Sequence, residues 1–226
     1  LAAPFLVDLP LILVQPFTTA VMLERSGERL VDGKHPIYPK RDIVSHNEIS
    51  PYLHRAVLAS EDDRFYMHEG FDFEEIEKAI ESSKQGKKLR GASTITQQFV
   101  KLAYLSTEQT FSRKAKELIL AMEVEQRFTK DEILELYLNT ISYGSNAAGV
   151  ETASETYFSK QAKDLTLDEA AMLAAIPQSP TKLSPYGENL ARLKAREQYV
   201  LTRMYDTGAI TKEQREHYMN LISDAS

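Results

Sequence analysis

From residue 51 onward, apolar positions recur at three- and four-residue spacing, the period of a helix with one buried face. Ser50-Pro51 opens the first such stretch, PYLHRAVLAS, because Ser caps a helix and Pro is tolerated at its first position. This helix runs towards Glu61. Asp72 and Glu75 form a capping pair that predicts a helix through Ile80. A long amphipathic helix is predicted over residues 113–128, with Ala115, Leu118, Ile119 and Met122 on its apolar face. Thr129 and Glu132 make a capping box ahead of Ile133, Leu134, Tyr137 and Leu138 at helical spacing. Thr166 and Glu169 make another before AAMLAAI, which stops at Pro177, and Thr211 with Gln214 marks a last short helix.

Before residue 50 the pattern changes. FTTAVML is rich in β-formers and predicts a short strand, while GKHPIYPKRD is turn-like. Residues 1–23 are strongly apolar, yet they contain Asp8, Gln15 and prolines at 4, 10 and 16. A spanning helix needs about 20 consecutive apolar residues, so a complete transmembrane helix is not expected. A surface-docking segment, one that follows a removed anchor, or an extended core-packed segment all fit. The first residue is Leu, which suggests a trimmed or mature chain. The expected organisation is a membrane-proximal segment, 1–45, and one domain, 46–226. The expected fold class is mainly α.

Composition adds bounds rather than identity. Of the 226 residues 42% are apolar, enough for a core, and the absence of Cys excludes disulfides and thiolate metal sites. Residues 84–116 carry eight Lys or Arg and one acid, Glu108, a net +7 within a chain of net −6. So one-sided a segment favours an anionic partner such as phosphate or a membrane face, against the bland reading of a solvated helix face. The small-residue turn Gly91-Ala92-Ser93-Thr94 ahead of a helix would offer backbone N–H groups and hydroxyls to an anion. Nothing here calls for nucleic acid.

Two carboxylates stand out. Glu61 closes an apolar helix, where partial burial would raise its pKa and suit general acid or base work; a surface salt-bridge cluster with Asp62, Asp63 and Arg64 is the competing reading. Glu117 shares a helix face with Arg113 and Lys114. It would orient those cations, hold a divalent metal or position a hydroxyl, unless it is a plain intrahelical salt bridge. His68 is a third candidate, more often structural beside a Gly turn. His35, His46, His54 and His217 show no ligand spacing, and no HExxH, Walker or Rossmann glycine pattern occurs.

Five segments, in order, resemble the peptidoglycan glycosyltransferases, glycosyltransferase family 51: EDDRFYMHEGFD at 61–72, RGASTITQQFVK at 90–101, RKAKE at 113–117, KDEILELYLN at 130–139, and YFSKQAKDLTLDEAAMLAAIPQSP at 157–180. The resemblance covers about residues 17–215. It implies a lysozyme-like, mainly α domain with a small membrane-facing subdomain, at the outer face of the cytoplasmic membrane. It implies polymerisation of lipid II into β-1,4 glycan strands, with inversion and release of undecaprenyl diphosphate. On this likeness Glu61 is the general base and Glu117 the second carboxylate, near the donor diphosphate. Ser93, Thr94, Gln97, Gln98, Lys101, Arg113, Lys114 and Lys116 would bind substrate. A divalent cation, Mg2+ or Mn2+, would sit at Glu117, and other cell-wall synthesis proteins would be partners. FTTAVMLER and FDFEEIEKA look most like the monofunctional enzymes, whereas the tail LSPYGENLARLKAREQYVLTRMYDTGAIT also resembles the bifunctional penicillin-binding proteins. No penicillin-binding domain is expected after TKEQREHY. Ala92, Leu102, Gln109 and Asp63 depart from the family pattern, and Gln109 puts one phosphate contact in doubt. A lysozyme-type hydrolase and a scaffold that binds lipid II without turnover are the rival readings.

Overall fold

In the computed structural model, residues 42–85, 93–105, 111–187 and 189–224 are described. The strand expected at FTTAVML, most of the 1–45 segment, and Lys87, Lys88, Arg90, Gly91, Ala92, Glu108 and Gln109 lie outside them. Among the described residues there are nine α-helices: α1 Pro51–Glu61, α2 Phe73–Lys84, α3 Ile95–Tyr104, α4 Phe111–Arg127, α5 Lys130–Thr140, α6 Val150–Phe158, α7 Leu167–Ala175, α8 Leu190–Asp206 and α9 Lys212–Asp224. The expected mainly α class holds. The described residues contain no strand, only an isolated bridge between Ser142 and Ala148. No helix among them is long and apolar enough to cross a membrane.

The local signals work as their chemistry dictates. Ser50 accepts from the Tyr52 N–H at 3.3 Å, and Pro51 occupies the first position of α1. Asp72 accepts from the N–H groups of Glu74 and Glu75, which opens α2, and that helix runs four residues beyond the expected end. Thr129 and Glu132 close a reciprocal box at α5. Thr211 and Gln214 do the same for α9, which extends to Asp224.

The centre is built on α7. Ala170, Ala171, Ala174 and Ala175 are wholly buried, and these small side chains let both α1 and α8 pack closely on one helix. α1 and α8 also contact each other. A second group stacks α3 against α4 and α5. Ile133, Leu134, Tyr137 and Leu138 of α5 are fully buried, as their spacing predicts. Before α1, the Val44 backbone is already held by the Asn139 amide through bonds of 3.2 and 2.8 Å.

One expectation fails. The face of α4 given by Ala115, Ile119 and Met122 is exposed, and Leu118 is only partly covered. Glu117, Leu120, Ala121 and Val124 are the buried stripe. Both stripes have helical period, and hydrophobicity favoured the wrong one because the buried stripe carries a carboxylate.

Candidate active site

Glu61 is the last residue of α1, since Asp62 leaves helical geometry with φ −163° and ψ 79°. The Glu61 side chain is 15% exposed. Its Oε1 accepts from Arg196 Nη2 at 2.9 Å and its Oε2 accepts from Gln98 Nε2 at 3.2 Å. Burial pushes the Glu61 carboxyl up, and the nearby Asp62 charge adds to that; Arg196 and the Gln98 hydrogen bond oppose it without cancelling it. The Gln98 amide is itself oriented, because its Oε1 accepts from the Tyr137 hydroxyl at 3.1 Å. Burial, then the Glu61 charge, hold the Tyr137 phenol well above its ordinary value, so it stays a proton donor to Gln98.

Asp62 explains how α3 reaches Glu61. Its Oδ2 accepts from the Ile95 N–H at 2.9 Å, an N-terminal helix donor that has no partner within its own helix. Its carboxylate also bonds His68 Nε2 at 3.1 Å. His68 is thus a partner of Asp62. With Ile95 anchored beside the end of α1, Gln98 arrives one turn later at the Glu61 carboxylate. The connecting loop is pinned by Phe65, which is fully buried and has Lys130 Nζ 4.3 Å from its ring centroid. Gly70 has φ +89°, and its carbonyl accepts from Thr94 Oγ1 at 2.7 Å.

The second expected carboxylate lies on α4. Glu117 is 2% exposed and is ion-paired with Lys114, one turn earlier. Lys114 Nζ also lies 3.5 Å from Ser93 Oγ. The structure therefore groups Ser93, Lys114 and Glu117, and separately Glu61 and Gln98. Thr94 is buried and caps α3 by accepting from the Gln97 N–H at 3.2 Å, and Gln97 is buried in the same turn. Lys101 is exposed one turn beyond Gln98; Lys116 is exposed and Arg113 half-buried on α4. No group of three metal-ligating side chains occurs among the described residues.

Sequence reasoning missed Arg196. Its signal was available: α8 carries Arg196 and Glu197 within the apolar stripe of Leu193, Val200, Leu201 and Met204, and a charge inside a buried stripe calls for a partner. Two departures from the family pattern also find their places. Asp63 pairs with Arg203 at 2.6 Å, and Leu102 packs against the core.

A family model described as Transglycosylase matches residues 30–205. The chain belongs to the transglycosylase family. It is 43% identical over 182 residues to penicillin-binding protein 1A of Neisseria lactamica, covering 80% of this chain and 23% of that protein. Penicillin-binding protein 1A of Rickettsia bellii is 43% identical over 180 residues, 78% of this chain and 23% of its own length. That of Rickettsia conorii is 41% identical over 187 residues, 81% and 24%. The chain spans about a quarter of the length of these relatives. All five quoted segments of the resemblance fall inside the matched range.

Proposed function

We propose that this domain polymerises lipid II into β-1,4 glycan strands, with Glu61 as the general base. The observation that carries the reading is a buried carboxylate at a helix end, fixed through both oxygens, within a transglycosylase match. The acceptor 4-hydroxyl gives its proton to Glu61 as its oxygen bonds to the donor's anomeric carbon. The bond from that carbon to the diphosphate breaks, and the diphosphate leaves with the bonding electrons. The configuration inverts. Negative charge grows on the leaving group, which is where fixed cations lower the barrier most. Lys114, held by Glu117 beside Ser93, serves that end, together with Lys101, Arg113 and Lys116. Gln98 orients Glu61. Thr94 and Gln97 support the start of α3 and act on the substrate through its position. A divalent cation, Mg2+ or Mn2+, would sit at Glu117 only together with diphosphate oxygens, because one carboxylate cannot fill an octahedral shell.

Membrane contact, on the outer face of the cytoplasmic membrane, is part of the same reading. Its support is the exposed large apolar side chains of Met67, Phe73, Ile119 and Met122. This would be the small membrane-facing subdomain. A second reading, the glycosyltransferase part of a bifunctional penicillin-binding protein, is favoured by the names of the relatives, and cell-wall synthesis proteins would then be its partners. The deciding assay incubates the protein with lipid II and a divalent cation and resolves polymer on a gel. Wild type should give polymer and Glu61→Gln none; polymer from Glu61→Gln at the wild-type rate would reject the base assignment.

A further inference from the structure

Two arginines on one face of α8, Arg196 and Arg203, both reach the C-terminal end of α1. Arg203 grips the chain around Glu61: its Nε donates to the Ala59 carbonyl at 3.2 Å and its Nη2 to Asp63 at 2.6 Å. Arg196 instead bonds the Glu61 carboxylate itself, at 2.9 Å, across 135 residues of sequence. Each side chain of that pair is only 15% exposed. The Arg196 guanidinium also lies 4.4 Å from the ring centroid of Tyr199, one turn along α8, which limits its movement. Its Nε is buried with no acceptor among the described residues.

A buried ion pair adds little stability over an apolar pair of the same volume. Stability alone therefore does not account for this one, while Arg203 already ties the two helices together. We propose that Arg196 is a positioning residue of the Glu61 base: from α8 it holds Oε1, and leaves Oε2, which among the described residues is engaged only by the neutral Gln98 amide, to receive the acceptor's proton. The proposal rests on the reading of Glu61 as the base. It has an electrostatic consequence. Burial at the end of α1 disfavours the carboxylate, and Arg196 is the foremost influence acting the other way. Among the described residues, the other charged or titratable groups facing this pair are Asp62, which is tied to His68 and the Ile95 N–H, Tyr137 behind Gln98, and Tyr199 against the Arg196 guanidinium. Removing the guanidinium therefore raises the pH at which Glu61 becomes a working base.

The test is the pH profile of lipid II polymerisation by Arg196→Met, Arg196→Lys and Arg203→Met, with urea unfolding of each variant. Arg196→Met should lower kcat by about 10–100-fold, the weight of one charge-assisted hydrogen bond, with KM changed by less than about twofold. Its acid limb should move to higher pH. Arg196→Lys should restore the limb but only part of kcat, because an ammonium lacks the planar fork. Arg203→Met should lower stability and leave the limb in place. Should Arg196→Met fail to fold, Arg196→Lys carries the test, since a wild-type kcat in that variant contradicts the positioning role. An unmoved limb in Arg196→Met, with activity that only follows its folded fraction, overturns the proposal while Glu61→Gln stays inactive. Wild-type polymerisation by Glu61→Gln overturns the underlying reading instead.

Discussion

Replacing Gly70 by Ala separates steric contact from backbone strain at the loop that assembles this site. A Cβ at Gly70 would lie 3.0 Å from Ala121 C, 3.1 Å from Ala121 O and 3.2 Å from Met122 N. All three are backbone atoms of α4, which cannot rotate away. Gly208 is an internal control: it has φ +74° against +89° at Gly70, but no atom lies within 4 Å of a Cβ there. Positive φ costs an L-residue about 1–2 kcal/mol. Loss of glycine's unfolded-state freedom returns about 0.4–1 kcal/mol at both positions and cancels in the comparison. Overpacking against a fixed neighbour costs about 1–3 kcal/mol more. Gly208→Ala should therefore destabilise by about 1 kcal/mol and Gly70→Ala by about 2–4 kcal/mol. Urea unfolding monitored by tyrosine fluorescence measures both. Gly70→Ala should also lose polymerisation beyond its folded fraction, because the Gly70 carbonyl receives Thr94 at the start of α3 and a Cβ at the same residue would push on the α4 backbone. Equal destabilisation by the two substitutions would refute the steric argument.

Two further outcomes concern charge. Burial, with Asp168 adding to it, raises the Glu197 carboxyl to about 7. A carboxyl with a raised folded-state pKa takes up a proton on folding, so it weakens the fold as pH rises from the ordinary carboxylate range through 7, and the full cost is present above that. Glu197→Gln should be more stable than wild type by about 1–3 kcal/mol at pH 8, with the advantage gone near pH 4, as read from urea midpoints across pH. Lys114→Met leaves the buried Glu117 carboxylate without its cation and should cost about 1–3 kcal/mol. Adding Glu117→Gln should restore most of that in a double-mutant cycle, and a strictly additive result would remove the pair from the account.

What the sequence determined by itself was local or ordered along the chain. Capping boxes and apolar spacing act within about four residues, so the helices beginning at Pro51, Lys130 and Lys212 were legible from their own residues. Glu61 was legible as a carboxylate ending an apolar helix, and the ordered segments carried the family. Tertiary structure decided which face of α4 turns inward, because a stripe holding Glu117 looks polar until Lys114 is seen to neutralise it. It also decided that Asp62 anchors α3, that Tyr137 orients Gln98, and that Arg196 reaches Glu61. The reason is one of range. Each of these is a polar contact between elements far apart in sequence, and it depends on how closely α1 and α8 settle on the alanines of α7 and on how α3 settles on α5. No periodicity within a single helix encodes that separation.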